Sequence, residues 1–311
     1  MKAARVTSWG SPPEYVTVPD LPAPSTNELQ LKVLAVGIPR VVRGRAAGKH
    51  PSAFKASLPY DPSIDGVGLD EATNERYFIT VSPAPLLAER VNINRSQLVK
   101  LDAAADAVTV AALANPAASS WLALQCRAVG GCVDRTIAII GATSASGRIA
   151  VSVARSLGAA RVVGLARNDE ALADVEGLDE RVVLTNPLVL PPNVGPIDIV
   201  IDYVGGPTAV ELLQAADIKR GENLQYIQVG GLAGCENHVL PARLINLKPI
   251  RIMGSGLGSV NREEIERETP ELLALISKMK PPFEIISAPL ADVGSIWESE
   301  DAKEKRLVLV P

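Results

Sequence analysis

The sequence is poor in the residues that build metal clusters and disulfide frameworks. Among 311 residues there are three cysteines (Cys126, Cys132 and Cys235) and two histidines (His50 and His238). Three thiols so scattered exclude a disulfide-stapled scaffold. Between Val36 and Leu101 there is no cysteine and one histidine, His50, so tetrahedral zinc with nitrogen and sulfur ligands cannot be assembled there. Aromatic residues make up only 4% of the chain, and the 47% hydrophobic content must therefore build aliphatic cores. A formal net charge of −4 and a pI near 5.4 provide no basic field for nucleic acid. No uninterrupted apolar run reaches the roughly 18 residues of a membrane span, and the first ten residues lack the pattern of a signal peptide. These exclusions point to a cytoplasmic chain in a reducing compartment, with no membrane partner and enough residues for two domains.

What the chain does have is the stretch 135–167, RTIAIIGATSASGRIAVSVARSLGAARVVGLAR. Residues 136–140 are β-branched apart from Ala138 and suit a strand buried on both faces. Gly141 and Gly147 bracket Ala142, Thr143, Ser144, Ala145 and Ser146, so nothing larger than threonine stands where the chain must turn. Ile149, Val153 and Leu157 recur every fourth residue, which predicts a helix with one apolar face, ended by Gly158. Residues 162–165 form the next strand. The result is a βαβ unit whose turn leaves backbone N–H groups and a helix N-terminus open to an anion such as a pyrophosphate. A tight crossover turn with no ligand is the plainer alternative.

The usual dinucleotide fingerprint has three glycines, and Ser144 stands near the place of the middle one. An NAD site closes its second strand with a carboxylate for the ribose 2′-hydroxyl. Here the strand ends in Ala166, Arg167 and Asn168, and a guanidinium suits a 2′-phosphate. The expectation is NADPH, held by Thr143, Ser144, Ala145, Ser146, Gly147, Arg148, Arg167 and Asn168. For Arg167 the alternative is a solvated surface cation.

The first third predicts β structure: strands over 2–7, 28–36, 77–81 and 88–93, with prolines such as Pro22 and Pro83 between them. Residues 40–49 suit a helix, and Asp65-Gly66-Val67-Gly68 suggests a turn between strands. Helical periodicity from Asp106 ends at Pro116, and a second helix opens at Ser119. Beyond Arg167 come a helix over 170–175, an exposed proline-rich connection over 187–196, a helix over 207–216, and strands over 181–184, 197–201, 224–229 and 250–253. The last three strands run into Tyr203-Val204, Gly230-Gly231 and Ser255-Gly256, which places these residues beside the same ligand. Asn261 caps a helix reaching about residue 279, and the β-like segments 283–286 and 307–310 return the tail to the first domain.

The order of these parts resembles the medium-chain dehydrogenase/reductase superfamily, in its zinc-independent quinone-oxidoreductase-like branch. The resemblance covers nearly the whole chain. It rests on Met1-Lys2-Ala3 with Gly10 and Pro12, Asp65-Gly66-Val67-Gly68, Ala114-Asn115-Pro116 before Ser120-Trp121, and the turn from Gly141 to Gly147. It continues through Asp202 to Gly206, Gln228-Val229-Gly230, Pro289-Leu290-Ala291-Asp292-Val293 ahead of Trp297, and the closing Arg306-Leu307-Val308-Leu309.

It implies an α/β fold with a discontinuous GroES-like, β-rich catalytic domain over 1–115 and 280–311. A Rossmann domain, a doubly wound parallel sheet, occupies 116–279, with the active site in the cleft. It further implies a homodimer that passes hydride from NADPH, without zinc, to a small electrophile, either an activated C=C bond of an enone or enal or a quinone. A zinc-free carbonyl reductase, a pathway-specific tailoring enzyme and a non-catalytic cofactor-binding protein remain alternatives. His50 and Tyr60 are candidates for the proton donor by position, and ordinary loop residues otherwise. Where relatives often place Asn and Asp, this chain has Pro39 and Val42. Arg43 and Arg45 suit either an anionic substrate group or a solvated helix face, Cys126 and Cys132 read as small core residues, and His238 as a surface residue.

Overall fold

The computed structural model describes residues 1–80, 84–231, 237–256 and 258–311. Val81, Pro83 and Cys235, which entered the sequence reading, lie outside them. The chain divides into two compact units, residues 1–115 with 270–311, and residues 116–269.

In the first unit, strands β1 (Lys2–Arg5), β2 (Glu14–Thr17) and β3 (Glu28–Gly37) lead to helix α1 (Arg40–Ala46). Strands β4 (Gly66–Asp70), β5 (Glu75–Ile79), β6 (Arg90–Asn94) and β7 (Leu98–Lys100) follow, and helix α2 (Ala107–Leu122) then carries the chain into the second unit. The second unit carries β8 (Thr136–Ile140), α3 (Ala145–Ser156), β9 (Arg161–Ala166), α4 (Asp169–Ala173) and β10 (Glu180–Val183). It continues with β11 (Ile199–Asp202), α5 (Gly206–Ala215), β12 (Leu224–Gln228), α6 (Ala242–Leu247), β13 (Ile250–Gly254) and α7 (Arg262–Ile276). The tail of the first unit adds β14 (Ile285–Pro289), α8 (Val293–Ile296), α9 (Glu300–Glu304) and β15 (Arg306–Val310).

The first unit's main sheet runs β14-β15-β3-β4-β5-β7, with β6 also on β3, and its pairs are antiparallel except β14 with β15. Leu31, Val33, Ile79, Leu87, Ile93 and Leu307 fill its aliphatic core. Asp65-Gly66-Val67-Gly68 is not a turn but the entry to β4. Its glycines accommodate β3: a Cβ on Gly66 would stand 2.9 Å from the Ala35 carbonyl oxygen, and one on Gly68 would stand 3.0 Å from the Leu31 side chain. Glycine marks close backbone approach as readily as a turn, and sequence alone does not separate the two.

Helix α2 runs unbroken through Pro116, where the sequence predicts two helices. Asp106 caps it, its carboxylate accepting from the Thr109 N–H at 2.8 Å. With the π-turn Ala123–Arg127 that follows, the helix reaches 21 residues, long and apolar enough by length and composition to cross a membrane. Pro116, which reads as a break, hid that length in the sequence. Of its most apolar window 61% is buried inside the protein, as in a core helix.

The second unit's sheet is wholly parallel, in the order β10-β9-β8-β11-β12-β13. Every residue of β8 is buried, as its unalternating apolar run requires. Helix α7 opens on a reciprocal box, the Asn261 side chain accepting from the Glu264 N–H and Glu264 from the Asn261 N–H. It stops at Ile276 rather than near 279, and the chain re-enters the first unit inside this helix, at Pro270 rather than 280. The connection 187–196 is not wholly exposed, because Leu188 and Val194 are buried in the sheet's core.

Candidate functional site

At the C-terminal end of β8 the chain turns from Gly141 to Ser144, and α3 begins at Ala145. Ser144 is the N-cap: its hydroxyl accepts from the Gly147 N–H at 3.0 Å, and its carbonyl accepts from the Arg148 N–H at 2.8 Å. The N–H groups of Thr143, Ala145 and Ser146 have no acceptor among the described residues. Residues 143–146 are half-exposed. These amides and the positive end of the helix suit an anion. Gly147 is packed against the turn itself: a Cβ there would lie 2.2 Å from the Gly141 carbonyl oxygen and 2.7 Å from the Ala142 Cα.

Arg167, the first residue past β9, is exposed and makes no hydrogen bond or ion pair with any described residue. Asn168 caps α4, accepting from the Ala171 N–H at 3.0 Å. Arg148 is engaged differently from the sequence expectation. Its Nε donates to the Thr143 carbonyl at 3.3 Å, and its terminal nitrogens donate to the Ala171 and Asp174 carbonyls, each at 3.2 Å.

Beyond β11 lies a buried network that the sequence did not disclose. Asp202 is fully buried, and its Oδ1 accepts from the Val204 and Gly205 N–H groups at 2.6 and 2.8 Å. The Tyr226 hydroxyl meets Asp202 Oδ2 at 2.6 Å and also the Gln228 side chain, whose amide nitrogen donates to the Gly230 carbonyl. Burial and the facing Asp202 push the Tyr226 phenol up. His238 is not simply a surface residue, since its half-buried ring lies edge-on to Tyr226 at 5.9 Å. The Tyr203 hydroxyl lies 3.1 Å from the Ser119 hydroxyl, and burial pushes that phenol up to about 12. Gly231 is exposed, Ser255 is buried with its N–H bonded to the Gln228 carbonyl at 2.8 Å, and Gly256 is exposed.

The turn from Gly141, Arg167, Val204, Gly230 and Ser255 follow the C-terminal ends of β8, β9, β11, β12 and β13 respectively. In a parallel sheet those ends share one edge, and the strand order reverses between β8 and β11, where such sheets take ligands. The open amides and the exposed guanidinium fit a dinucleotide carrying an extra phosphate.

No protein-family model matches the chain. The protein is 47% identical, over 100% of both chains, to the probable NADPH-dependent quinone reductase tdiC of Emericella nidulans. In fold it is similar to the quinone oxidoreductase of Thermus thermophilus, solved with and without NADPH, at a TM-score of 0.77 and 24% identity over 100% of both chains. It is similar also to the Escherichia coli quinone oxidoreductase complexed with NADPH, at 0.78 and 18%, again over 100% of both chains. The chain belongs to the quinone-oxidoreductase-like branch of the medium-chain dehydrogenase/reductase superfamily. Its two units are accordingly the GroES-like and Rossmann units of that superfamily.

In the GroES-like unit of this quinone-oxidoreductase-like chain, the two proton-donor candidates converge on one arginine. Arg45 donates to the Ser52 hydroxyl at 3.1 Å, which lies 2.8 Å from His50 Nδ1, and the Arg45 guanidinium lies 5.5 Å from the Tyr60 ring centre. Burial and the Arg45 charge both lower the His50 pKa and favour neutral imidazole. Burial raises the Tyr60 pKa against the Arg45 guanidinium, and the buried Tyr60 hydroxyl donates to no described residue. A phenol that keeps its proton is a hydrogen-bond donor, and so is a neutral imidazole at Nε2 while its Nδ1 accepts from the Ser52 N–H.

Arg43 is not free for a substrate: its guanidinium donates to the Trp297 and Ala302 carbonyls at 2.6 and 3.0 Å. In the Rossmann unit, burial raises both the Cys126 and Cys132 thiols, which suits inert packing. Among the described residues no group of three or more His, Cys, Asp or Glu side chains could hold a metal ion.

Proposed function

We propose that this protein is an NADPH-dependent oxidoreductase whose substrate is a quinone. The observation that carries the cofactor reading is Arg167 just past the end of β9, exposed and without a partner among the described residues, near a turn with open amides. Thr143, Ala145 and Ser146 would hold the pyrophosphate through their N–H groups, and Arg167 would hold the 2′-phosphate. The Ser144 hydroxyl, which already accepts from Gly147, keeps its proton to donate to a phosphate oxygen. Bound NADPH supplies a hydride, which with one proton reduces a quinone to the hydroquinone. The substrate class rests on the full-length likeness to tdiC.

The Asp202 network fixes the backbone of residues 204, 205 and 230 at the rim of the site, so these segments need not reorganise when a ligand arrives. Tyr60 is our candidate donor to the developing oxyanion, an assignment supported by its buried hydroxyl, which donates to no described residue. We also propose a homodimer joined through the outer edge of β13. That strand ends the sheet, and Ile252 on it and Ile245 and Leu247 on α6 are exposed.

The test is a titration with both nucleotides, followed by turnover on quinones, enones and simple carbonyls. NADPH should bind more tightly than NADH, and Arg167→Ala should cost about 1.5–3 kcal/mol with NADPH alone. Equal losses for the two nucleotides would remove the 2′-phosphate assignment. Turnover of enones but not quinones would move the substrate to activated C=C bonds.

A further inference from the structure

We infer that Arg148 is a positioning residue that fixes the distance between the pyrophosphate turn and the 2′-phosphate cation, and thereby sets selectivity for NADPH over NADH. The inference rests on the cofactor reading above.

The side chain leaves the first turn of α3, one residue past Gly147. One of its three acceptors, the Thr143 carbonyl, belongs to the turn. The other two are the Ala171 carbonyl within α4 and the carbonyl of Asp174, the residue that caps its C-terminal end. That helix opens at Asn168, next to Arg167. Five residues are too few for a helix to be stable by itself, and its last carbonyls have no donors within it.

Beside the Asp174 and Val175 N–H groups, two arginines supply donors to this end of the helix and the residues just past it. Arg181 on β10 reaches the Leu172 and Val175 carbonyls at 3.1 and 2.8 Å, and Arg148 reaches the pair on the other side. Their charges also suit the negative end of the helix. Of the two, only Arg148 grips the turn as well. One planar guanidinium therefore ties the segment bearing Arg167 to the segment bearing the open amides. A lysine, with one point of charge, cannot bridge three carbonyls in a fixed fork.

A dinucleotide with a 2′-phosphate must meet both anchors at once, whereas NADH needs only the turn. Loosening the tie should therefore weaken NADPH more than NADH, although Arg167 is untouched.

The experiment measures dissociation constants of both nucleotides by fluorescence titration of the full-length protein. The variants are Arg148→Ala, Arg148→Lys, Arg167→Ala and the double variant Arg148→Ala/Arg167→Ala. Arg148→Ala should lower the NADPH:NADH preference by about tenfold, and Arg148→Lys by a smaller factor. In the Arg167→Ala background, Arg148→Ala should leave the remaining preference unchanged, because the tie then has no cation to place. Equal weakening of both nucleotides by Arg148→Ala would make the residue merely structural and overturn the inference. So would a parental preference in Arg148→Lys, which also decides the matter should the alanine variant not fold. A parent protein with no preference for NADPH would fail at the cofactor reading itself, and the inference with it.

Discussion

Asp65 stands where β4 begins, with 6% of its surface exposed and no hydrogen-bond partner for its Oδ1 among the described residues. Burial pushes its carboxyl up to about 7, with Arg306 acting against the rise. The same desolvation lowers Arg306 to about 10, so Arg306 stays protonated through neutral pH. An acid whose pKa is higher folded than unfolded favours the folded state while protonated. Its contribution is complete below the unfolded value of about 3.8 and is lost as the pH rises through about 7. The loss is on the order of 3 kcal/mol between pH 5 and 8. Unfolding midpoints should fall over that interval, and Asp65→Asn, which cannot ionise, should flatten the fall. An unchanged slope in the variant would assign it to other groups. None of this was legible in the sequence, where Asp65 belonged to a supposed turn: burial is set by β3 and β15, remote in the chain.

At the scale of the element, the β8–turn–α3 segment was read correctly from residues alone, because strand, turn and helix there each follow from neighbours within a few positions. Its two special residues have separable roles. A Cβ on Gly147 meets backbone at 2.2 Å, so Gly147→Val must push α3 off the turn and should abolish binding of both nucleotides. Ser144→Ala removes the cap and one donor. It should reduce stability by about 1 kcal/mol and weaken nucleotide binding modestly. Titrations on the folded variants distinguish the two effects, and NADPH binding by Gly147→Val at the parental level would show that the nucleotide lies elsewhere. Helix α2 shows the opposite case. Pro116 signalled a break, yet the helix continues, since packing of its buried residues outweighs one lost backbone donor.

For the whole molecule, the exposed edge of β13 predicts assembly. An apolar strand edge left unpaired is an association hazard, and a second copy presenting the same edge removes it. Light scattering at micromolar concentration should give twice the 32.8 kDa chain mass, and Ile252→Lys should shift the protein toward the monomer. A monomeric parent would refute the dimer. The sequence suggested this edge only through the family resemblance. That Ile245, Leu247 and Ile252 are all exposed near it emerges only from the folded sheet, partly because α6 was not anticipated from the sequence.

The order of residues alone was enough for the βαβ core, its small-residue turn, the arginine just past β9 and the family. These depend on periodicity, residue size and turn chemistry over short spans, which a sequence states directly. What identical residue types do was set by the packed fold. Gly66 and Gly68 serve close strand approach while Gly147 seats a helix against its own turn. Arg148 and Arg43 are held by backbone carbonyls while Arg167 is left free. Which carbonyls come within reach of a guanidinium, and which carboxylate loses its water, depends on segments distant in the chain, and only the tertiary arrangement brings them together.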